Sequence, residues 1–470
     1  MSEQEQANID FVEVDRWLDE AYPQMERDLL QLLAIPTVLG EAAEGAPFGQ
    51  ALAQALDCSL QIAADLGLKT QNVDGYAGFA DLPGQTKEQI GVLTHLDVVP
   101  ASAEDWQTGP FEPVIVDGKL YARGTMDDKG PMIASLYAGI ALARCGVSLN
   151  KTVRFLFGCN EESGMSCIRY FLQKHEPPSC GFSPDGNFPL VVGEKGLGRF
   201  SLCHSWQPDQ GIAPLRLQSI HSGTAGNIVP DRAEAVFAVE GEFYFDGADV
   251  SGLHIAREGN NLRVSAVGKA AHASTPEEGE NALVKLLQFL ARQEFYPRGA
   301  KKYVGTLAKL FADTCYGETL GVADADEYSK LTVAPTILDV KENQGSLFCD
   351  MRFSLTRKAA FFQEKLEVIA KDNGLDLIDW KGTEPLFAGE GSFIADTLLK
   401  AYRDHTGDMS EPLIIGGGTY AKTMPNFLAY GPVFPGAPNV VHQADEFMDI
   451  KEFMDSAKIY ARAIYALAKS

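Results

Sequence analysis

The sequence predicts an α/β domain interrupted by an inserted α+β domain, and three observations predict it. Over residues 1–195, short apolar strands alternate with helix-periodic stretches, the order expected of an α/β sheet. From about Gly196 to Thr383 the alternation gives way to strand-like pieces with few helices, the pattern of an antiparallel sheet. After Pro385 the α/β pattern resumes, which sets the boundaries at 1–195, 196–384 and 385–470. A chain of 470 residues also exceeds the usual reach of one hydrophobic core.

Taken in order, Phe11 to Leu33 places Trp17, Tyr22, Met25, Leu29, Leu30 and Leu33 on a helical stripe that stops before Pro36. Phe48 to Leu66 forms a second helix closed by Gly67. Ile90 to Thr94 is an apolar strand that delivers His95-Leu-Asp97 at its end. Val114 to Tyr121 reads as a hairpin turning at Asp117-Gly118. A helix starting at Gly130-Pro131 runs to Cys145. Thr152 to Phe157 is a strand that delivers Asn160-Glu-Glu-Ser163 before a helix from Met165 to Lys174. In the insertion, strands are expected at 198–204, 233–239, 262–267, 332–340 and 347–353, with helices at 281–292 and 358–373. A helix from Ser392 to Thr406, a Gly416-Gly-Gly418 loop and a helix from Ile450 to Lys469 complete the chain. The last helix turns Phe453, Ala457, Tyr460, Ile464 and Leu467 inward.

A net charge of −24 argues against nucleic acid and anionic membranes as partners. The first ten residues lack the basic and apolar regions of a signal peptide, and no apolar run is long enough to span a bilayer. The eight cysteines are scattered without a C-x-x-C pair, as in a reduced compartment. A cytoplasmic protein is the expectation.

Five segments carry chemistry: His95-x-Asp97, Asp127-Asp128, Glu161-Glu162, Asp185 and His442. Each alone has an ordinary explanation, as a hydrogen-bonded core histidine, a first-turn acid or a turn residue. Together they make a complete ligand set, since each follows a strand or a glycine-rich turn. Imidazole and carboxylate suit zinc, manganese or cobalt. A pair of ions needs a carboxylate between them, and an adjacent Glu-Glu pair allows one member to bind while the other acts as base.

With these segments the chain resembles the dinuclear-metal superfamily of carboxypeptidase G, acetylornithine deacetylase, aminoacylase and carnosinase type. The carriers are His95-Leu-Asp-Val-Val-Pro100, Gly124-Thr-Met-Asp-Asp-Lys-Gly130, Asn160-Glu-Glu-Ser-Gly164, Ser183-Pro-Asp-Gly186 and His442-Gln-Ala-Asp-Glu446. Chain length, the long insertion and Gly416-Gly-Gly-Thr-Tyr-Ala-Lys422 through Phe434-Pro-Gly436 are most similar to bacterial PepV-type dipeptidases. The resemblance implies a catalytic domain with a mixed central sheet flanked by helices, and a lid formed by the insertion. It implies two divalent ions per chain, zinc first, with manganese or cobalt as alternatives. Asp127 would bridge them, His95 and Asp185 would complete one site, and Glu162 and His442 the other. Asp97 would orient His95 through its ring N–H, a cis peptide would join Asp127 to Asp128, and Glu161 would move the proton. In the lid, His272 of Gly268-Lys-Ala-Ala-His272-Ala-Ser would hold the oxyanion. Asn227, Arg352, Gly416, Gly417 and Thr419 would contact the substrate. The implied activity is hydrolysis of dipeptides by a catalytically sufficient monomer. An N-acyl amino-acid deacylase and a non-catalytic peptide-binding homologue are the alternatives.

Overall fold

In the computed structural model, residues 9, 11–208, 215–239, 252–312, 315–341 and 343–470 are described. The chain divides into two compact units: residues 1–192, 388–413 and 418–470 form the first, and 193–387 with 414–417 the second.

The first unit opens with α1 (Phe11–Leu33) and α2 (Gln50–Asp65). The buried stripe of α1 is Val14, Leu18, Met25, Leu29, Leu32 and Leu33. Trp17, Tyr22 and Leu30, expected on that stripe, sit half-buried at its margins. Two strands come next that the periodicity does not announce, β1 (Lys69–Val73) and β2 (Ala77–Leu82). β3 (Gln89–His95) precedes the hairpin of β4 (Val114–Val116) and β5 (Lys119–Tyr121). Asp117 and Gly118 take φ of 50° and 76° at its turn, as a two-residue hairpin requires. α3 (Lys129–Arg144) is buried on nearly every side, packed between α1 and the C-terminal helix. β6 (Thr152–Gly158) leads to α4 (Ser166–Phe171), shorter than the expected 165–174, and then to β7 (Cys180–Ser183).

The sheet of this unit is mixed. β1, β2 and β6 pair antiparallel, whereas β6, β3, β7 and the late strand Phe427–Ala429 run parallel. His95 pairs with Gly158, so β3 and β6 end level. Loops beyond the C-terminal ends of parallel strands are where such sheets build sites.

The second unit is built on an eight-stranded antiparallel sheet. Its helices are α5 (Ala282–Leu290), α6 (Arg298–Leu310) and α7 (Ala359–Asp372), whose apolar faces join those of the strands in one core. α6 carries a helical stripe of Ala300, Tyr303, Val304, Leu307 and Ala308, yet it is not among the helices expected of the insertion, and its two glycines lower its helix propensity. The chain returns to the first unit with α8 (Phe393–Thr406) and α9 (Ile450–Lys469). Phe453, Ala457, Tyr460, Ile464 and Leu467 are all buried along α9. Among the described residues, no helix is long and apolar enough to cross a membrane.

One close approach ties the end of β6 to the short turn that holds Tyr420. A Cβ on Gly158 would run into the Tyr420 hydroxyl. Gly158→Ala should therefore cost about 1–3 kcal/mol by overpacking. Urea unfolding should show a lower midpoint at an unchanged slope.

Candidate metal centre

The candidate ligands leave the ends of β3, β6 and β7 and two loops. His95 closes β3 and is fully buried. Its Nδ1 lies 2.9 Å from the main-chain oxygen of Asp97, which assigns a hydrogen to Nδ1 and turns Nε2 toward the acids. Nε2 is 2.8 Å from Asp127 Oδ1 and 3.7 Å from Asp185 Oδ2. The other oxygen of Asp127 is 3.0 Å from Nε2 of His442, which also meets Glu162 Oε1 at 2.9 Å. One carboxylate thus stands between two imidazoles, presenting one oxygen to each. Two ligand groups result: His95, Glu161 and Asp185, and Asp127, Glu162 and His442. The peptide bond between Asp127 and Asp128 is cis.

Asp97 meets the His95 ring N–H through its main-chain carbonyl. Its carboxylate oxygen stands 3.6 Å from His95 Nδ1, while its carbonyl makes the closer contact. The carboxylate faces the loop after β6 instead, accepting the N–H groups of Glu161 at 2.9 Å and Glu162 at 3.0 Å. The turn past β3 aims the carbonyl at the ring, and the side chain then reaches the neighbouring strand's loop.

Four buried residues that the motifs contain, but to which sequence reasoning assigns no role, hold these loops. Asp128 Oδ2 accepts the His95 N–H at 3.1 Å. Lys129 Nζ donates to the Leu32 and Ile35 carbonyls at 3.2 and 2.9 Å, satisfying the open end of α1. The Tyr420 ring stands edge-on to His95 at 5.9 Å. Its hydroxyl lies 2.8 Å from Cys167 Sγ. Glu446 binds the loop that bears Asp127. Contacts of this kind join segments far apart in the chain and leave no spacing to read.

The remaining candidates lie mostly in the second unit. His272 and Ile228 pair on a short ribbon, and Ala273 N–H bonds the Asn227 carbonyl, so Asn227 and His272 are neighbours. His272 Nδ1 accepts the Ser274 N–H at 3.2 Å, which assigns the ring hydrogen of the neutral form to Nε2. Arg352 is buried and gripped by Asp350, Nε to Oδ1 at 2.6 Å and Nη2 to Oδ2 at 3.1 Å. Its Nη1 donates to the Gly416 carbonyl at 2.8 Å. A Cβ on Gly416 would strike Ser274, so the glycine lets this loop approach the His272 segment. Gly417 is half-buried beside it. Thr419, in the first unit, accepts the Ala421 N–H at 3.1 Å with its hydroxyl and caps a short turn.

Electrostatics separates the acids. Burial opposes charge on Asp127, yet His442 and His95 hold its carboxyl well below the usual range. Burial and the Asp127 carboxylate push Asp185 up to about 8 and also raise Glu162. Burial, then Asp185, raises Glu161 well above the ordinary value. His442 is raised to about 11, because Asp127 and Glu162 outweigh the cost of burial. Glu161 Oε1 is buried without a hydrogen-bond partner, and His95 Nε2 and Asp127 Oδ1, both buried, meet each other at 2.8 Å with no further hydrogen-bond partner. Buried polar atoms without partners are rare, and a divalent cation satisfies such nitrogen and oxygen donors directly. The residues therefore fit metal.

The profile of Peptidase family M20/M25/M40 matches residues 91–466. The chain belongs to this family. Its relatives include "Putative dipeptidase YtjP" of Bacillus subtilis (strain 168), 34% identical over 94% of this chain and 97% of that protein. "Putative dipeptidase SH1171" of Staphylococcus haemolyticus (strain JCSC1435) is 35% identical over the same shares. Among solved structures, human carnosine dipeptidase 1 aligns with a TM-score of 0.58 at 15% identity, covering 98% of this chain and all of that one. The Saccharomyces cerevisiae di-peptidase Dug1p aligns with 0.59 at 14%, over 98% and 99% of the two chains. These last two likenesses concern the fold.

For this M20-family chain, the protonation of the ligands makes metal uptake a proton-releasing event. At pH 7 metal-free Asp185 and His442 both hold a proton, being raised to about 8 and about 11. Ligands must be deprotonated, so adding zinc to metal-free protein in weak buffer should release protons and acidify the solution. Apparent affinity should rise with pH through this range. A pH indicator that records no acidification would contradict the assignment of these ligands.

Proposed function

We propose that the chain is a dipeptidase acting through two divalent cations. The observation that carries the metal reading is the Asp127 carboxylate shared between His95 and His442, with Asp185 and Glu162 flanking it. Support for the substrate class comes from full-length likeness to proteins named as dipeptidases. Asp127 would serve both ions, His95 and Asp185 one, Glu162 and His442 the other. Zinc is the first choice, and the same donors accept manganese or cobalt. Bound ions would supply Lewis acidity for the scissile carbonyl and acidify the attacking water.

The chain's own groups do the rest. Glu161, raised by burial and by Asp185, is suited to take a proton from water and return it to the leaving amine. Asp97 keeps Glu161 and Glu162 on adjacent headings through their N–H groups. We assign the oxyanion to His272, whose Nε2 carries the hydrogen in the neutral ring. Three of the five Arg352 N–H groups are engaged by Asp350 and Gly416. The other two are assigned to the terminal carboxylate of the substrate, with Asn227 and the Gly416-Gly417 backbone beside it. On this reading one chain suffices for turnover.

The deciding experiment is a panel of dipeptides and N-acyl amino acids, assayed on metal-free protein with zinc, manganese or cobalt restored. Dipeptide cleavage that depends on added metal is expected. Turnover of the N-acyl compounds alone would make the chain a deacylase.

Glu161 also lies within reach of His95 and Asp185, so its role as base is tested against a role as ligand. Glu161→Gln should keep metal content and lower kcat by roughly two to four orders of magnitude. Glu162→Gln should instead lose metal. The reverse pattern would exchange their roles.

Arg352→Ala should lower kcat/KM by roughly 10- to 150-fold on dipeptides and much less on dipeptide amides. Equal losses on both would leave Arg352 a purely structural partner of Asp350.

A further inference from the structure

Glu446 is fully buried and lies four residues beyond His442, at the start of the strand Phe447–Asp449. That strand pairs with β5, Phe447 opposite Tyr121, and so carries Glu446 against the loop beyond β5. The Glu446 carbonyl accepts the Ala122 N–H at 3.2 Å. Its carboxylate turns into the concave side of the loop. Oε1 accepts the Met126 N–H at 2.9 Å and the Asp127 N–H at 3.3 Å, and both oxygens lie 3.1 Å from the Gly124 nitrogen. Arg123 Nη1 donates to Oε2 at 2.6 Å and balances the charge. The Arg123 guanidinium in turn lies over the Trp106 ring at 5.3 Å. Asp445 adds a second tie, accepting the backbone N–H of Gln107 at 2.8 Å and its Nε2 at 3.1 Å.

The loop from Arg123 to Asp127 is wrapped around this one side chain. Gly124 takes φ of 91°, and the N–H groups of Gly124, Met126 and Asp127 all point inward at the carboxylate. A carboxylate that accepts several N–H groups fixes the direction in which the next side chain leaves the loop. Here the next side chain is Asp127. Glu446 therefore grips Asp127 by its backbone and His442 through a short tether. Those two residues meet at 3.0 Å across the ligand group that also includes Glu162. None of these bonds reaches His95, Glu161 or Asp185.

We propose that Glu446 is a positioning residue for the Asp127–Glu162–His442 group: it sets the span between the Asp127 carboxylate and the His442 ring, and with it the affinity of that group for a divalent cation. This rests on the two-cation reading. Outer groups that orient ligands typically change metal affinity by about 10- to 100-fold when replaced, which sets the expected scale.

Glu446→Gln preserves size and one oxygen but removes the charge opposite Arg123. Glu446→Asp keeps the charge and shortens the reach. Cobalt(II) is titrated into metal-free wild type and both variants, with visible absorption reporting each equivalent; His442→Ala marks the step that belongs to the group in question. The Gln variant should take the equivalent that His442→Ala removes roughly 10- to 100-fold more weakly, with the other equivalent, which shares Asp127, weakened clearly less and Asp intermediate. Activity at limiting metal should fall in step and recover at saturating cobalt, with KM for the dipeptide unchanged. Both equivalents weakened alike, or both bound as in wild type, would overturn the assignment. Should Glu446→Gln fail to fold, Glu446→Asp gives the same two-step readout. A wild-type chain that takes fewer than two equivalents would instead sink the two-cation reading itself.

Discussion

Asp97, Asp127, Asp128, Glu161, Glu162 and Asp185 crowd around two imidazoles, and this excess of negative charge is what the rest of the first unit has to accommodate. Two like charges about 4 Å apart repel by about 4 kcal/mol at an effective dielectric near 20, and the carboxylates of Glu161 and Asp185, and of Asp127 and Glu162, each come within 4.8 Å of one another. The fold meets the problem in two ways. Some acids are handed backbone donors: Asp97 receives two N–H groups, Asp128 receives one from His95, and Glu446 receives the loop together with Arg123. The others, Asp127, Glu162 and Asp185, keep oxygens directed at the two histidines.

Asp185 and Glu162 are shifted up by burial and then by the Asp127 carboxylate, and Glu161 by burial and then by Asp185, whereas Asp127 is held down because it alone faces both histidines. Burial raises Asp128 and Glu446 too, in spite of the donors they receive. The parallel strands matter because their ends are level. His95 and Gly158 finish in register, so the loops beyond them open side by side and bring Asp97 against Glu161 and Glu162.

The fold class was legible because strand and helix periods alternate cleanly around β3, α3 and β6. The family was legible from contiguous acid- and histidine-bearing segments. What escaped was carried by packing. β1 is polar and almost wholly exposed and shows no strand period, while α6 keeps a helical stripe at Ala300, Tyr303, Val304 and Leu307 but carries the helix-disfavouring Gly299 and Gly305. The buried face of α1 is rotated from the one that its aromatics suggested. Ligand candidates could be named because strand-end loops advertise them, but their supports could not. A carboxylate's partner 322 residues away, as Gly124 is from Glu446, has no signature in either segment. Nor does sequence distinguish the carbonyl of Asp97 from its side chain as the group that meets His95.

The strand Phe427–Ala429 lies inside the first unit's sheet, beside β7, although the whole second unit separates the two in the chain. Synthesis proceeds from the N-terminus, and domains tend to fold as units when they are complete. The second unit, nearly continuous from 193 to 387, can close while the enclosing unit still lacks an internal strand, α8 and α9. A partly made chain carries Asp127, Glu161 and Glu162 without His442, so the second candidate ligand group is complete only once the loop before α9 has been made.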